Sequence, residues 1–297
     1  MKKRVLSVLL ATVMVAGVFA GCGGSKDTAK TSDTAAEDTA DDADAADTSS
    51  ETTKFVVGFD AEYPPYGYMD ENGEYTGFDL ELAQAVCDME GWELVKQPIN
   101  WDSKDMELNS GNIDCIWNGF TMNGREDDYT FSVPYVDNSQ VIVVAEDSGI
   151  ASLADLAGKT VGVQAASAAL SLLQSEEEGG QKALAYTFGS LNEFADYNTA
   201  FTELQAGALD ALAIDIGVAK YQLNSRGEGF MILDETLNTE QYAIGFRKSD
   251  GQELCDTVNA ALQELANIGT VAELAEKYEI ADMVTLKADK RKISTLR

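Results

Sequence analysis

The chain contains no histidine among its 297 residues. This absence excludes Ser-His and Cys-His catalytic pairs, histidine metal ligands and the side chain that most often acts as a base near neutral pH. The sequence also lacks a nucleophile elbow, a glycine-rich phosphate loop and a cysteine pair at metal-ligand spacing. We therefore predict no catalytic residues, no metal site and no cofactor, and the protein is expected not to be an enzyme.

Basic residues are scarce. Lysine and arginine number 21 against 51 aspartates and glutamates, which gives a formal net charge of −30 at pH 7. A surface this acidic repels the phosphates of nucleic acids and of anionic lipids. The charge therefore excludes nucleic acid as a partner and leaves no basic surface for membrane binding.

Long apolar runs are confined to the start of the chain. Lys2, Lys3 and Arg4 precede an apolar run over residues 5–20, and the segment ends in FAGC. This pattern predicts a lipoprotein signal peptide over residues 1–22, with Cys22 as the lipidated residue after cleavage. The run is shorter than the ~20 apolar residues that span a bilayer, and an uncleaved membrane anchor is the alternative.

Residues 23–53 carry no aromatic and no branched aliphatic side chain and are rich in Ala, Asp, Thr and Ser. Such a segment cannot bury enough apolar surface to fold. We predict a disordered acidic tether that connects Cys22 to a folded part beginning near residue 54.

Cysteine is also rare, with four residues. With Cys22 lipidated, Cys87, Cys115 and Cys255 remain, and they fall in apolar helix or strand patterns. We predict buried free thiols, with a disulfide as the alternative.

From residue 54 onward, short apolar strands alternate with amphipathic helices, which is typical of an α/β fold. A helix is predicted over Phe78–Glu90, ending at Gly91, and Ser152, Ser167 and Asn198 are predicted N-caps. Further strands are predicted over residues 114–117, 140–144, 160–163, 211–214 and 242–246.

One segment repeats within the chain. LNSGNIDCIWNG from Leu108 and LQAGALDALAID from Leu204 align at a constant offset, each reading as a helix, a glycine turn and a buried strand. The repeat predicts two lobes of similar build, although helix–Gly–strand junctions are common in any α/β protein. Ligands of open α/β sheets bind beyond the carboxyl ends of strands. Gly119 and Asp215, which lie at the two strand ends, are thus expected on opposite walls of one cleft.

The residues near these strand ends suit a zwitterion. Arg125 is the only basic residue between Lys104 and Lys159, and its guanidinium matches a carboxylate. Asp215 would take an ammonium, because either ligand charge buried without a partner would be strongly unfavourable. The alternative for Arg125 is a surface ion pair with the acidic residues that follow it.

These residues resemble a known family, the polar amino-acid substrate-binding proteins of ABC importers. The resemblance covers about residues 54–280 and rests on DAEYPPYGY, GEYTGFDLELAQAV, LNSGNIDCIWNGFT, FSVPY, SLADLAGKTVGVQ, LQAGALDALAID and QYAIGFRKSD. It implies a two-lobed, periplasmic-binding-protein-like (type II) α/β fold with a ligand cleft between the lobes and two hinge strands, near residues 140–144 and 241–244. The spacing from Thr121 to Arg125 is four residues, one fewer than is usual in that family.

By position, the resemblance implies roles for nine ligand-binding residues. Arg125 matches the carboxylate-binding arginine and Asp215 the ammonium-binding aspartate. The others are strand-end contacts, rings against the ligand side chain, side-chain-end contacts and a second-lobe carboxylate contact: Gly119 and Thr121; Tyr63 and Trp101; Asp60 and Gln164; and Ser167.

The sequence therefore predicts lobe 1 over residues 54–141 and 242–297, and lobe 2 over residues 142–241. The resemblance implies a monomeric, extracytoplasmic, lipid-anchored protein that captures a free polar L-amino acid and delivers it to an ABC permease with its ATPase. The alternatives are a lyase on the same fold, similar to cyclohexadienyl dehydratase, and a ligand-sensing ectodomain. Asp60 favours a ligand with an amide or cationic end, and residues 286–297 are assigned no role.

Overall fold

The structure, a computed structural model, describes residues 52–289. The predicted signal peptide, Cys22 and residues 23–51 of the predicted tether lie outside the described residues. Within residues 52–289, no helix is both long enough and apolar enough to cross a bilayer.

The described residues contain short strands, α-helices and two turns of 3₁₀-helix. The strands are β1 Lys54–Phe59, β2 Glu62–Tyr63, β3 Gly67–Met69, β4 Tyr75–Thr76, β5 Glu93–Pro98, β6 Cys115–Ile116, β7 Tyr129–Phe131, β8 Val136–Ala145, β9 Thr160–Gln164, β10 Ser190–Phe194, β11 Ala211–Asp215, β12 Phe230–Ile232, β13 Asn238–Tyr242 and β14 Gly245–Arg247. The helices are α1 Phe78–Glu90, α2 Lys104–Ser110, α3 Ala168–Gln174, α4 Lys182–Ala185, α5 Tyr197–Gln205, α6 Ile216–Arg226, α7 Gln252–Ile268 and α8 Thr270–Lys277, with 3₁₀ turns at Trp101–Ser103 and Leu153–Leu156.

Two sheets form the framework. The first has the order β5-β1-β6-β14-β7, with β1 parallel to β5 and β6. The second has the order β10-β9-β11-β8-β12, with β9 parallel to β10 and β11, and β13 paired with β8. Strand β11, ALAID, is buried along its whole length, as expected for a central strand covered on both faces. The predicted α/β class is confirmed.

The repeated segment adopts the same local structure in both sheets. The Asp114 carboxylate accepts a hydrogen bond from the Val56 amide at 2.7 Å, and the Asp210 carboxylate accepts one from the Thr160 amide at 2.8 Å. In return, the amides of Asp114 and Asp210 donate to the carbonyls of Val56 and Thr160 at 2.8 and 2.9 Å. Each aspartate therefore fixes the start of a strand, β6 or β11, beside the parallel strand that precedes it in the chain.

The chain passes between the sheets twice, through residues 132–135 and 243–244, which we call the crossing segments. The amide of Ser132 donates to the carbonyl of Ile244, and the amide of Tyr135 to that of Tyr242, each at 3.0 Å. The single strand predicted over residues 242–246 is wrong for this reason: Tyr242 ends a strand of the second sheet and Gly245 begins one of the first. The predicted lobe boundaries near residues 141 and 242 stay a prediction.

Most predicted helix ends agree with the structure. Helix α1 has the predicted bounds, and Gly91 ends it with a φ of 70° in the left-handed region. Ser167 caps α3, because its Oγ accepts from the Leu170 amide at 3.1 Å. Ser152 caps the second 3₁₀ turn in a capping box with Asp155.

The predicted N-cap at Asn198 is wrong. Helix α5 begins at Tyr197, and its N-cap is Asp196, whose carboxylate accepts from the Thr199 amide at 2.7 Å. The Asn198 amide instead donates to Glu62, and its oxygen accepts from Gln222 Nε2 at 2.7 Å. A carboxylate at the first turn also complements the positive end of the helix dipole, which favours Asp196 as the cap.

Cys87, Cys115 and Cys255 are buried free thiols, as predicted. Burial raises the pKa of Cys87 to about 12 and that of Cys255 to about 11, so both stay protonated thiols.

Candidate functional site

The predicted ligand residues converge between the two sheets. One small cavity of ≈ 10 Å³, which we call the head-group cavity, is lined by eight of the nine predicted residues and by Ala168: Tyr63, Trp101, Gly119, Thr121, Arg125, Gln164, Ser167 and Asp215. Asp60, the ninth, does not line this cavity but accepts a hydrogen bond from Gln164 Nε2 at 2.6 Å. The structure therefore brings together residues that lie up to 155 positions apart in the chain.

Arg125 reaches the cavity from the turn that follows Thr121. Its amide donates to the Met122 carbonyl at 3.0 Å, and its Nη1 donates to the Thr121 carbonyl at 3.1 Å. Its guanidinium carbon lies 4.9 Å from the ring centre of Phe120. The short Thr121–Arg125 spacing thus still places the guanidinium on the cavity. Among residues 52–289, no carboxylate lies within 4.0 Å of it, so the surface ion pair considered from the sequence does not form.

Asp215 approaches from the other sheet, at the junction of β11 and α6. Its Oδ1 accepts three hydrogen bonds, from Asn138 Nδ2 at 2.7 Å, Gln140 Nε2 at 2.6 Å and the Tyr242 hydroxyl at 2.7 Å. The carboxylate is 3% exposed, and this burial raises its pKa above the ordinary value, although the hydrogen bonds oppose the shift. An ammonium beside it would supply the positive charge that its protein neighbours lack.

A second carboxylate, that of Glu240, shares hydrogen-bond donors with Asp215. Glu240 Oε1 accepts from the Thr121 hydroxyl at 2.7 Å and from the same two amides, Asn138 Nδ2 and Gln140 Nε2, at 2.8 Å each. Burial, followed by the charge of Asp215, raises the pKa of Glu240 to about 7. The sequence analysis missed Glu240, Asn138 and Gln140. The sequence signal was weak, because Asn138 and Gln140 lie in a run of four polar residues, DNSQ, near the start of β8, and only the alternation of strand faces places these two on the buried side.

Tyrosine rings enclose the aspartate. The hydroxyls of Tyr63 and Tyr242 lie 3.4 Å apart, and the ring of Tyr63 packs 6.0 Å from that of Tyr197. Tyr66, across Pro64 and Pro65 from Tyr63, packs edge-on against Tyr242 at 5.2 Å. The loop that carries Tyr63, Pro64, Pro65 and Tyr66 is therefore one wall of the candidate site. Its rings lower the dielectric constant around Asp215.

Gly119 is required by this packing. Its φ is 58°, and a Cβ there would lie 3.0 Å from ring atoms of both Tyr63 and Tyr242. Its amide donates to Asp79 Oδ2 at 2.6 Å, and the Tyr135 hydroxyl donates to the same oxygen at 2.8 Å. Asp79 is fully buried, and desolvation raises its pKa to about 7. This residue, missed from the sequence, fixes the strand-end turn on which Gly119 and Thr121 lie.

Trp101 separates the head-group cavity from a larger one. The larger cavity, of ≈ 350 Å³, includes Asp60 and Trp101 in its lining, and we call it the distal cavity. Lys104 lies under the Trp101 ring at 5.2 Å, and its Nζ donates to the carbonyl of Ala166, beyond β9, at 3.2 Å. Desolvation, followed by the charge of Arg125, lowers the pKa of Lys104 to about 8. The Trp101 ring therefore lies where the second sheet meets the first.

The lining of the distal cavity is acidic. It contains the carboxylates of Asp60, Glu62, Asp102 and Asp196, and within residues 52–289 no lysine or arginine lines it. Burial raises the pKa of Asp60 to about 6, although hydrogen bonds from the Glu62 amide and Gln164 oppose this. The candidate site thus has Arg125 and Asp215 on the head-group cavity at one end and carboxylates around the distal cavity at the other.

Ser167 and Gln164 line the head-group cavity from the end of β9 and the start of α3. Ser167 Oγ is engaged as the N-cap acceptor, and Gln164 Nε2 donates to Asp60 and to the Ala195 carbonyl at 3.1 Å. Their ligand contacts stay a prediction. No group of three or more cysteine, aspartate or glutamate side chains within residues 52–289 is placed to hold a metal ion.

Known proteins are similar to this chain in sequence and in structure. An arginine-binding extracellular protein of Bacillus subtilis is 34% identical over 230 residues, which is 76% of this chain and 86% of the relative. A substrate-binding protein of an ABC uptake transporter from Streptococcus pneumoniae, solved with bound histidine, superimposes with a TM-score of 0.73 and 34% identity, covering 78% of this chain and 94% of that one. An ancestral arginine-binding protein bound to arginine gives a TM-score of 0.68 and 36% identity over 76% of this chain and 97% of that one.

These likenesses confirm the two-lobed α/β fold class. Residues 55–281 match the family described as bacterial extracellular solute-binding proteins, family 3. The match spans more than half of the chain and includes every residue of the head-group cavity. The chain is a member of the bacterial extracellular solute-binding proteins, family 3.

Proposed function

We propose that this protein captures an L-amino acid with a cationic side chain outside the cytoplasm and delivers it to an ABC importer. The observation that carries the proposal is the position of Arg125 and Asp215. They reach one cavity from the two sheets, and Arg125 has no carboxylate partner among residues 52–289. An α-carboxylate and an α-ammonium on one carbon complete both charges.

The head group would be held from both walls. The Arg125 guanidinium binds the α-carboxylate, assisted by Ser167 from the second sheet. Asp215 binds the α-ammonium, and the Thr121 hydroxyl, which donates to Glu240, presents its lone pairs to the same group. Because the two charges of the ligand pair with different sheets, binding draws the sheets together.

The distal cavity supports a cationic side chain. A ligand side chain that passes Trp101 enters a space lined by four carboxylates, with Asp60 the most buried of them. A guanidinium or ammonium there offsets charges that a neutral amide would leave unpaired. The arginine-binding relative from Bacillus subtilis agrees with this class of ligand.

A protein that captures an amino acid for an importer must also deliver it to the permease in the membrane. In this proposal the protein is a monomer, and Cys22 carries the lipid that holds it at the outer face of the cell membrane, near a permease and its ATPase. In this proposal the acidic segment predicted as a tether connects Cys22 to the folded part and so keeps it within reach of the permease. Lobe 1 over residues 54–141 and 242–297 and lobe 2 over residues 142–241 are the two bodies that close over the ligand.

A lyase on the same fold is the weaker alternative. The relatives reported above are named as binding proteins, and Arg125 and Asp215 suit a charged head group that stays intact. A sensor ectodomain has no feature among residues 52–289 that favours it.

A thermal-shift screen tests the proposal. L-arginine, L-lysine and L-ornithine are compared with L-glutamine, L-histidine and L-cystine, and D-arginine is the control for the head group. A true ligand at 100 times its Kd adds about 2.7 kcal/mol to the free energy of unfolding. We expect the protein to be stabilised only by amino acids of the first set, L-arginine, L-lysine and L-ornithine. Turnover of prephenate or arogenate, without stabilisation by any amino acid, would contradict the proposal.

A further inference from the structure

Glu240 and Asp215 form a buried pair of carboxylates at the point where the chain passes between the sheets. Asn138 Nδ2 and Gln140 Nε2 each donate to both carboxylates, at distances of 2.6–2.8 Å. Asp215 is 3% exposed and Glu240 5% exposed. The two acids therefore share one set of donors rather than each having its own.

The charged groups around the pair do not neutralise it. Tyr63, Tyr197 and Tyr242 face it from the aromatic wall, and burial raises the pKa of each hydroxyl well above the ordinary value, so they stay neutral. Across the head-group cavity, Arg125 donates to the Thr121 carbonyl.

On the outer side, Glu240 lines a cavity of ≈ 600 Å³, which we call the hinge-side cavity. Three charged side chains share it: Lys220, Asp137 and Asp282. Lys220 pairs with Asp282 at 3.3 Å, and Asp137 accepts from Gln241 Nε2 at 2.9 Å. Within residues 52–289, no lysine or arginine contacts either carboxylate of the pair.

Two buried carboxylates that share the same donors repel each other if both are charged, and such pairs commonly keep one proton between them. The amide oxygens of Asn138 and Gln140 add to this. Both are buried and accept no hydrogen bond within the described part of the chain. The cluster therefore has acceptor capacity for a further hydrogen, which a protonated carboxyl would supply.

We propose that Glu240 is a proton-holding residue that couples amino-acid binding to proton release: the pair carries one proton before binding, and the ligand ammonium displaces it. The inference rests on the proposed function, because it requires an ammonium at Asp215. The Glu240 carboxyl loses H⁺ to bulk water through the hinge-side cavity, and the pair changes from one negative charge to two. The ligand ammonium supplies one positive charge in return.

The sign of the pH effect follows from this exchange. Below neutral pH the pair holds its proton, and ammonium binding must expel it, so affinity falls as pH falls. The pKa of Glu240, about 7, places the effect between about pH 5.5 and 7.5. One displaced proton corresponds to about a tenfold loss of affinity for each pH unit. Release of ligand is thereby favoured wherever the protein meets a more acidic surface.

Isothermal titration calorimetry tests the inference with L-arginine as the probe, and with L-glutamine if arginine gives no heat. Titrations at pH 6.5 in phosphate and in imidazole count the protons released, and titrations from pH 5.5 to 8 give the slope of affinity. The wild type should release about three quarters of a proton at pH 6.5, the fraction that a group with a pKa of about 7 holds before binding. Glu240→Gln, which keeps an acceptor for Thr121, should release almost none, and its affinity should be nearly independent of pH and weaker than that of the wild type at pH 8.

Asp60 is the other acid from which a cationic ligand could displace a proton, so Asp60→Asn is the matched control. Whatever its affinity for the ligand, this variant should still release the proton that Glu240 and Asp215 hold. Infrared difference spectra of the wild type need no variant: ligand addition should remove the C=O stretch of a protonated carboxyl.

Binding with no proton release, or equal release by the wild type and Glu240→Gln, would overturn the inference and leave the proposed function intact. Release that disappears in Asp60→Asn but persists in Glu240→Gln would also overturn it. Absence of heat with both amino acids would instead overturn the proposed function, and this inference with it.

Discussion

Gln164 and Asp60 are joined by a 2.6 Å hydrogen bond that connects the end of β9 to the end of β1. The two strands belong to different sheets, so this bond crosses directly between the walls of the site. It lies beside Trp101, between the head-group cavity and the distal cavity. In the proposed function, this bond lies where the ligand side chain would meet the protein.

Asp60→Asn tests the recognition of a cationic side chain. The variant keeps an oxygen for Gln164 but loses the charge, so the affinity for L-arginine should fall by about 2–3 kcal/mol, or roughly 30- to 150-fold, while that for L-glutamine changes less. Calorimetry measures both. Glu62→Gln is the control, since Glu62 is exposed in the same cavity and should cost less than about 1 kcal/mol. Equal losses for arginine and glutamine would contradict the assignment.

The head-group assignment predicts matched losses in protein and ligand. Arg125→Ala and Asp215→Ala should each weaken binding by about 2–5 kcal/mol, or roughly 30- to 5,000-fold, because each leaves a ligand charge without a partner. Amidating the ligand carboxylate should add little to the Arg125→Ala loss, and deaminating the ligand should add little to the Asp215→Ala loss. Fully additive losses in both pairings would show that these residues do not contact the head group.

Trp101 should report ligand binding by fluorescence. Its ring lines both the head-group cavity and the distal cavity, so a bound ligand changes its surroundings. The other two tryptophans, Trp92 and Trp117, pack away from both cavities, Trp92 against Phe55 and Trp117 against Tyr135. Trp101→Phe should therefore lose most of the ligand-dependent change. A response that persists undiminished in this variant would place Trp101 outside the binding site.

Asp79 should make the protein less stable as pH rises. Its pKa is about 7 in the folded protein against 3.8 for the free side chain, so the folded state holds the proton more tightly. The contribution is fully present below about pH 4 and is lost as pH rises to 7, by at most about 4 kcal/mol. Chemical denaturation from pH 4 to 8 should show a flatter profile for Asp79→Asn than for the wild type.

Asp155 supplies the control of opposite sign. It caps an exposed turn, and its hydrogen bonds to Ser152 and Ala151 lower its pKa. Asp155→Asn should therefore destabilise the protein at neutral pH and lose that effect as pH falls. Parallel pH profiles for the wild type and Asp79→Asn would show that Asp79 is not the titrating group.

Lipidation at Cys22 is tested by Cys22→Ser in cells. The variant should appear as unlipidated protein in the soluble fraction, because the thiol that receives the lipid is gone. Mass spectrometry of the N-terminus identifies the product. If the variant stays in the membrane with its first 21 residues intact, the uncleaved anchor is correct instead.

The sequence predicted residues that stand at strand ends, because strand position and chemistry coincide there. Gly119, Arg125 and Asp215 follow short apolar strands, and the structure places all three on one cavity. Glu240 could not be predicted in this way, because it does not lie at the end of an apolar strand. It lies within β13, whose role depends on pairing with β8, and that pairing is a contact between distant parts of the chain.

Local patterns failed where a tertiary contact decided the outcome. Asn198 has the composition of an N-cap, but Asp196 takes that role, and Asn198 bonds to Glu62 across the site. Similarly, the apolar run of residues 242–246 gives no sign that the chain leaves one sheet for another after Tyr242. The first error is a choice between two nearby capping residues, and the second arises because only the pairing of distant strands shows where the chain changes sheets.

The strands next to the crossing segments carry the residues that surround Asp215, the proposed ammonium-binding residue. Asn138, Gln140, Glu240 and Tyr242 all lie on β8 or β13, whereas Asp60 and Trp101 come from loops at the far end. In the proposed function, the residues that would bind the common head group of amino acids are thus part of the connection between the sheets, and those that would select the ligand side chain are not. Substitutions around the distal cavity would then change the preferred side chain and leave the head-group contacts in place.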